Sequence, residues 1–298
     1  MAPLARVLAA VAVATMPTAA LPAVDVASLW DFAQPEVSEA RFRERLKDAT
    51  PDDAAILLTQ IARTYGLRRD FDRARSTLAP LQTDLARRSA EVRARYHLER
   101  GRTFISATHR ADEKTAEARA VARREYLAAV EIARANARDD IAIDALHMLP
   151  FVETDEAAGL RWNRQALALA QQSCQPAARR WEASLRNNIG LSLHRLGRPD
   201  EALAMFEAAV PAAERTGDAR RVRIAHWMVA WTLRSLGRVD EALAIQQRLE
   251  RENDAAGTPD PHVYDELAKL HEAKGDAARA AHYASLAAAR HRPAAGGR

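Results

Sequence analysis

From Ser38 onward, apolar residues recur every three or four positions, the spacing of helices with one buried face, and no segment alternates convincingly as a half-buried strand does. Leu58, Ile61, Ala62 and Tyr65 form one stripe; after a polar break at Arg69-Asp70, Ala74, Leu78 and Leu81 form another. The pairing returns downstream. Ile189, Gly190 and Leu193 lead through Gly197 to Ala202, Phe206 and Ala209, and Val229, Ala230 and Leu233 lead through Gly237 to Ala242 and Leu249. Tyr264, Leu267, Ala268 and His271 lead through Gly275 to Ala280, Ala284 and Ala287. Each set predicts two helices joined by a tight turn.

The punctuation between stripes supports this reading. Ser38 is expected to cap a helix running through Phe42 and Leu46, and Thr50-Pro51-Asp52-Asp53 offers a cap, a proline at the first helical position and acids in the first turn. LGRPDEALA at 196–204 and LGRVDEALA at 236–244 differ at one position and lie 40 residues apart. Gly197 and Gly237 fall just past a helix end, where left-handed backbone is easy only without a β-carbon. Gly190 and Ala202 sit where two helices must cross, and a larger side chain would hold the backbones apart.

Hairpins with small residues at the crossing and glycine in the turn resemble the tetratricopeptide repeat family. The resemblance is strong at 183–218, 223–256, 55–88 and 261–290. It is looser at 94–130, where Gly101, Phe104, Ala122, Tyr126 and Ala129 match but about nine extra residues intervene around Ile105 to Thr115, and at 139–170, where Ala145, Ala158 and Trp162 match after a one-residue adjustment and Pro150 ends the first helix. The resemblance implies an all-α, right-handed superhelical solenoid of about six stacked antiparallel hairpins, because one hairpin cannot bury its apolar face alone. The expected organisation is a capping helix in 24–50, the solenoid in 51–292 and a flexible tail in 293–298.

The first residues have a different character. Arg6, the apolar run Val7 to Met16, the break at Pro17 and the small residues Thr18-Ala19-Ala20 form a secretory signal pattern, cut after Ala20 or Ala23. The expectation is a removable signal over 1–23, with an uncleaved membrane anchor and a plain buried helix as the alternatives, a periplasmic protein if the source has two membranes, and no stable membrane span after cleavage. The single cysteine, Cys174, allows no internal disulfide.

Composition narrows the function. The net charge is +4, but basic residues are interleaved with almost as many acids, so no nucleic-acid stripe is expected. The most basic stretch, 63–102, reads as a solvated helix surface whose arginines pair with Asp70, Asp72, Asp84, Glu91 and Glu99. No enzyme motif stands: His271-Glu272 begins like a zinc-protease helix, but Gly275 occupies the place of the second ligand. His97, His147, His226 and His282 are scattered without ligand spacing, so no metal, cofactor or catalytic residue is expected.

The resemblance implies instead a concave groove, lined by the first helix of each repeat, that holds a protein or peptide partner. Counting along those helices puts Asn187, Leu191, His194 and Arg195 on one groove face and Ile224, Trp227, Trp231, Arg234 and Ser235 on the next. Trp227 and Trp231, one helical turn apart, are the sharpest feature. Either both rings fill gaps between hairpins, or they anchor a partner while Arg195 or Arg234 grips its carboxylate. Family members that clamp chaperone C-termini use a lysine and an asparagine on one groove helix, an asparagine on the next, and a lysine and an arginine on the third. Here Asn188 matches the middle asparagine, but Ala142, Leu146, Ile224 and Met228 occupy the flanking places, which argues against that mode. The reading is a non-catalytic adaptor of the cell envelope; a small-ligand or glycan-binding envelope protein is the alternative, and an unrecognised enzyme a more distant one.

Overall fold

The computed structural model describes residues 24–291, and everything structural below refers to these; the expected signal over 1–23 and the tail at 293–298 lie outside them. Two short helices open the described chain, α1 (Val26–Leu29) and α2 (Pro35–Leu46). Six hairpins follow: α3 (Pro51–Leu67) with α4 (Phe71–Leu78), α5 (Ala90–Arg102) with α6 (Ala116–Ala135), and α7 (Asp139–Met148) with α8 (Glu156–Gln172). After the one-turn α9 (Pro176–Arg179) come α10 (Glu182–Arg195) with α11 (Pro199–Glu214), α12 (Ala219–Ser235) with α13 (Val239–Ala255), and α14 (Pro261–Ala273) with α15 (Ala277–His291). Consecutive helices pack antiparallel, and no strand occurs among the described residues. The all-α solenoid is thus the observed architecture.

The turn chemistry explains the repeat. At both Gly197 and Gly237 the backbone is left-handed, with φ of 72° and 75°. The following amide reaches back to the last helical turn, Arg198 N to Leu193 O at 3.0 Å and Arg238 N to Leu233 O at 2.9 Å, which satisfies a carbonyl the helix end leaves open. The arginine after each glycine then clasps the glutamate in the next first turn, Arg198 to Glu201 and Arg238 to Glu241. Gly190 marks the crossing: a β-carbon there would lie 2.6 Å from the Phe206 ring. Gly101 meets Tyr126 in the same way two hairpins earlier.

One helix start differs from expectation. Thr50 caps α3 through a bond from the Asp53 amide, but Ser38 caps nothing. Pro35 begins α2 three residues earlier, and Ser38 is buried inside it, where its hydroxyl accepts from Asp31 N at 2.7 Å and donates to Asp31 O at 2.9 Å. A serine in the first turn after a proline helix start, reaching back to an aspartate, serves as a staple for the preceding chain, a role its local sequence does not distinguish from a cap.

The core lies between the two helix layers in successive blocks. Phe42, Leu57, Ile61, Leu78 and Tyr96 form the first; the largest runs from Leu98 through Tyr126, Leu146, Leu185 and Phe206 to Ala242; Leu249, Tyr264, Leu267 and Ala287 close the far end. The Ile105–Thr115 insertion folds back on the first hairpin. His109 stacks on Phe71 at 3.9 Å, Thr108 donates to Gly66 O, and Arg69 forks onto Glu113.

Candidate functional site

The first helices of the repeats, α3, α5, α7, α10, α12 and α14, carry the polar and aromatic residues that core packing leaves over. In the first half these residues form a buried charge network. Arg102 on α5 donates to Glu99 at 2.5 Å and to Asp144 on α7, while Arg63 on α3 donates to Asp144 at 3.3 Å and stands 3.8 Å from Glu99. Two cations and two anions thus balance in a place where an unpaired charge would cost several kcal/mol, on the order of 3–5. Burial pushes the Asp144 carboxyl up, but Arg102 and Arg63 outweigh it and hold the group at about 2. Burial and the neighbouring Arg102 charge depress the Arg63 guanidinium. Arg63 Nε and Glu99 Oε2 have no hydrogen-bond partner.

This network corrects the sequence reading of 63–102. Arg73, Arg75, Arg88 and Arg95 do pair with Asp70, Asp72, Asp84 and Glu91, but Arg63, Glu99 and Arg102 belong to the interior wall of the groove. Their common partner is Asp144, a repeat away from α5 and two from α3, which no local pattern announces.

His147 lies one turn after Asp144 and joins two clefts. One, of about 200 Å³, is bounded by Arg63, Arg102, Thr108, Met148 and Trp181; the other, of about 310 Å³, by Glu153, Asn163, Asn188, Leu191 and Arg195; both include His147 and Phe151. The His147 Nδ1 and the Asn188 carboxamide are 3.1 Å apart, and its ring lies 5.3 Å from Trp181 and 6.0 Å from Phe151. Burial lowers its pKa, so the imidazole is neutral at pH 7. Asn163, 4% exposed, leaves Oδ1 without a partner, as does the half-buried Asn187. The break that opens these clefts is set by the sequence: Pro150 ends α7 early, a 3₁₀ turn at Leu149–Val152 follows, and α9 wedges in before α10.

In the second half the groove is aromatic. His194 lies tilted against Trp231 at 4.0 Å, Trp231 lies nearly parallel to Trp227 at 6.2 Å, and Trp227 meets His262 edge-on at 6.4 Å while donating Nε1–H to the His262 carbonyl at 3.2 Å. Both indoles are half-buried, with one side against the core. Burial and the Arg234 charge keep His194 neutral by lowering its pKa. A cleft of about 620 Å³ adjoins Trp227, bounded by Arg223, Ile224, Met228, Asn253, Pro259 and His262.

Of the residues expected to form the site, Leu191 and Arg195 line the 310 Å³ cleft beside His147, His194, Trp227 and Trp231 form the ladder, and Asn187 lines neither cleft. Arg195 is exposed and stands 3.7 Å from Glu156. Arg234 departs from expectation: it forks onto the buried Glu266 of the next repeat at 2.6 and 3.1 Å, so its charge is consumed within the fold. The fork is invisible in sequence because Glu266 is 32 residues away. The residues sequence reading passed over are His147, Phe151, Trp181, Asn163 and the four-charge network. The signal was the irregularity around Pro150, where a broken repeat widens the groove.

Comparison with known proteins places this geometry. Residues 181–251 match the tetratricopeptide repeat family model. No curated protein sequence matches the chain. Among solved structures, a signal-transduction ATPase with numerous domains and a tetratricopeptide repeat sensor, from Pyrococcus horikoshii, aligns over 86% of this chain with 14% identity and a TM-score of 0.65; this chain spans only 39% of that protein. The apo form of RapI aligns over 88% of this chain and 72% of its own, with 8% identity and a TM-score of 0.66. NprR in complex with its cognate peptide NprX aligns over 88% of this chain and 75% of its own, with 12% identity and a TM-score of 0.51. Residues 181–251 therefore carry tetratricopeptide repeats, and the described residues together have the fold of a tetratricopeptide-like helical solenoid.

Proposed function

We propose that this protein is a non-catalytic adaptor, exported to the cell envelope, that holds an extended segment of a partner protein or a peptide along its concave face. The observation that carries the reading is the pair of adjoining clefts around His147, one of them lined by Asn188 and by Asn163, whose buried Oδ1 has no partner within the fold, beside the Phe151 ring. An extended segment offers alternating amide donors and carbonyl acceptors that such carboxamides can match. The Trp227–Trp231 ladder continues the track and supplies apolar area at low entropy cost. The match to NprR, whose structure holds a peptide, supports the same use of the fold. Among the described residues no helix is long and apolar enough to cross a membrane.

Photo-crosslinking in cells from position 191, beside the clefts, and from position 227 tests the proposal. The expected result is one shared partner captured at both positions, with Trp227→Ala/Trp231→Ala weakening capture while helicity is kept. Capture at neither position, or a partner retained undiminished by the double variant and by Asn188→Ala, overturns it.

A further inference from the structure

The end of the solenoid gathers three metal-ligating side chains. His262 and Asp265 lie one turn apart at the start of α14, and closure of the last hairpin brings His291, at the end of α15, beside them. The Asp265 carboxylate is 2.8 Å from His291 Nε2 and 4.0 Å from His262 Nδ1, and the three ligand atoms all fall within 4.8 Å of one another. This is an unusual environment here. Arginine is abundant and meets most groove carboxylates, yet among the described residues Asp265 has no lysine or arginine within ion-pair distance, only the two imidazoles.

We propose that His262, Asp265 and His291 form a site for a borderline divalent transition metal, zinc being the reference ion. Two imidazoles and one carboxylate are a three-ligand zinc donor set that leaves a fourth position open, and imidazole donors disfavour calcium and magnesium. Zinc–nitrogen and zinc–oxygen bonds of about 2.0–2.1 Å put tetrahedral ligand atoms roughly 3.4 Å apart. The observed 2.8 and 4.0 Å bracket that spacing, so the cation replaces a hydrogen bond on one side and draws His262 inward on the other. The required movement is about 1 Å, a side-chain rotation of exposed imidazoles. The backbone of His262 is already fixed: its amide donates to Asp260 at 2.9 Å and its carbonyl accepts from Trp227. A bound ion ties the two ends of the terminal hairpin together and presents an open coordination position beside the Trp227 cleft. Sequence inspection misses the site because His262 and His291 are 29 residues apart and carry no ligand-spacing motif.

Calorimetric titration of the chelator-treated full chain with zinc chloride tests the site, alongside thermal melts with and without zinc. The expected result is one saturable equivalent with micromolar affinity and a raised melting temperature. His262→Ala, Asp265→Asn and His291→Ala should each weaken binding by roughly tenfold or more, whereas His282→Ala, on the exposed surface of α15, should leave it unchanged. The two histidines are exposed and Asp265 is half-buried, so the variants are expected to fold, and loss of binding in folded variants is attributable to the ligands. The proposal is overturned by an absence of saturable binding at submillimolar zinc, or by binding that survives in a His262→Ala/His291→Ala chain.

Discussion

Replacing Asp144 with asparagine tests whether the buried charge network holds the first three repeats together. The change keeps the side chain's shape and one acceptor for Arg102, but leaves two guanidiniums sharing Glu99. Its magnitude follows from the carboxyl's acidity. Holding the group at about 2 rather than its ordinary 3.8 means that the folded state favours the anion by roughly 2.4 kcal/mol. Residual repulsion between Arg63 and Arg102 raises the expected loss to about 2–4 kcal/mol at pH 7. The sign with pH is fixed by the depressed folded pKa. The stabilisation is complete well above 3.8 and is lost as pH falls through about 2, because the unfolded carboxyl takes its proton first. At pH 3 roughly half of the linkage energy has gone. Urea transitions followed by circular dichroism should therefore show a large gap between wild type and Asp144→Asn at pH 7 and a clearly smaller one at pH 3. A gap below about 1 kcal/mol at pH 7, or one that does not narrow at pH 3, would refute the assignment of Asp144 as the shared anion.

Other substitutions give sharper local readouts. Gly190→Ala drives a β-carbon into Phe206 and should cost about 1–3 kcal/mol, whereas Gly66→Ala, with nothing within 4 Å, should gain about 0.5–1 kcal/mol; equal effects in denaturation midpoints would contradict the helix-crossing argument. Arg234→Ala leaves the buried Glu266 with only Lys269 and should lower stability by about 2–4 kcal/mol, a loss that Glu266→Gln in the same chain should partly reverse. Burial keeps His147 neutral, so the unfolded state takes up its proton first and this residue's contribution to stability falls as pH drops below about 6.5. His147→Gln should flatten that limb of the stability profile, and an NMR titration should place the wild-type imidazole below its ordinary range.

Much of the frame was legible because its causes are local. The left-handed turns at Gly197 and Gly237, the Thr50 cap with its proline, and the small residue at position 190 each act within one hairpin, and a 3.6-residue period reports which face is buried. Six hairpins followed from counting those signals. Ser38 failed as a cap because two roles for a serine near a helix start look alike until the partner is seen, and that partner is Asp31, seven residues back. The site was less legible for the same physical reason on a larger scale. Arg63, Glu99, Arg102 and Asp144 meet only after three repeats stack, and an arginine bound for the groove wall is indistinguishable in sequence from one bound for solvent.

The two halves of the concave face divide along this line. Where the repeats are regular, from α10 to α14, facing helices approach closely enough for rings to meet across units, His194 with Trp231 and Trp227 with His262, and spare charges such as Arg234 are absorbed by the neighbouring repeat. Where the pattern breaks, at the insertion after Ile105 and the stop at Pro150, the first helices cannot close on each other and polar groups are left at the walls of the clefts. Irregular repeats are therefore the places where the fold retains binding capacity that it does not spend on itself. The paired LGRPDEALA and LGRVDEALA segments are at the opposite extreme: their arginine and glutamate clasp each other across the turn, and their backbone amides close the preceding helix end. Specificity in this solenoid is accordingly sought in the residues that break the repeat, with His147 at their centre and the tryptophan ladder extending their reach.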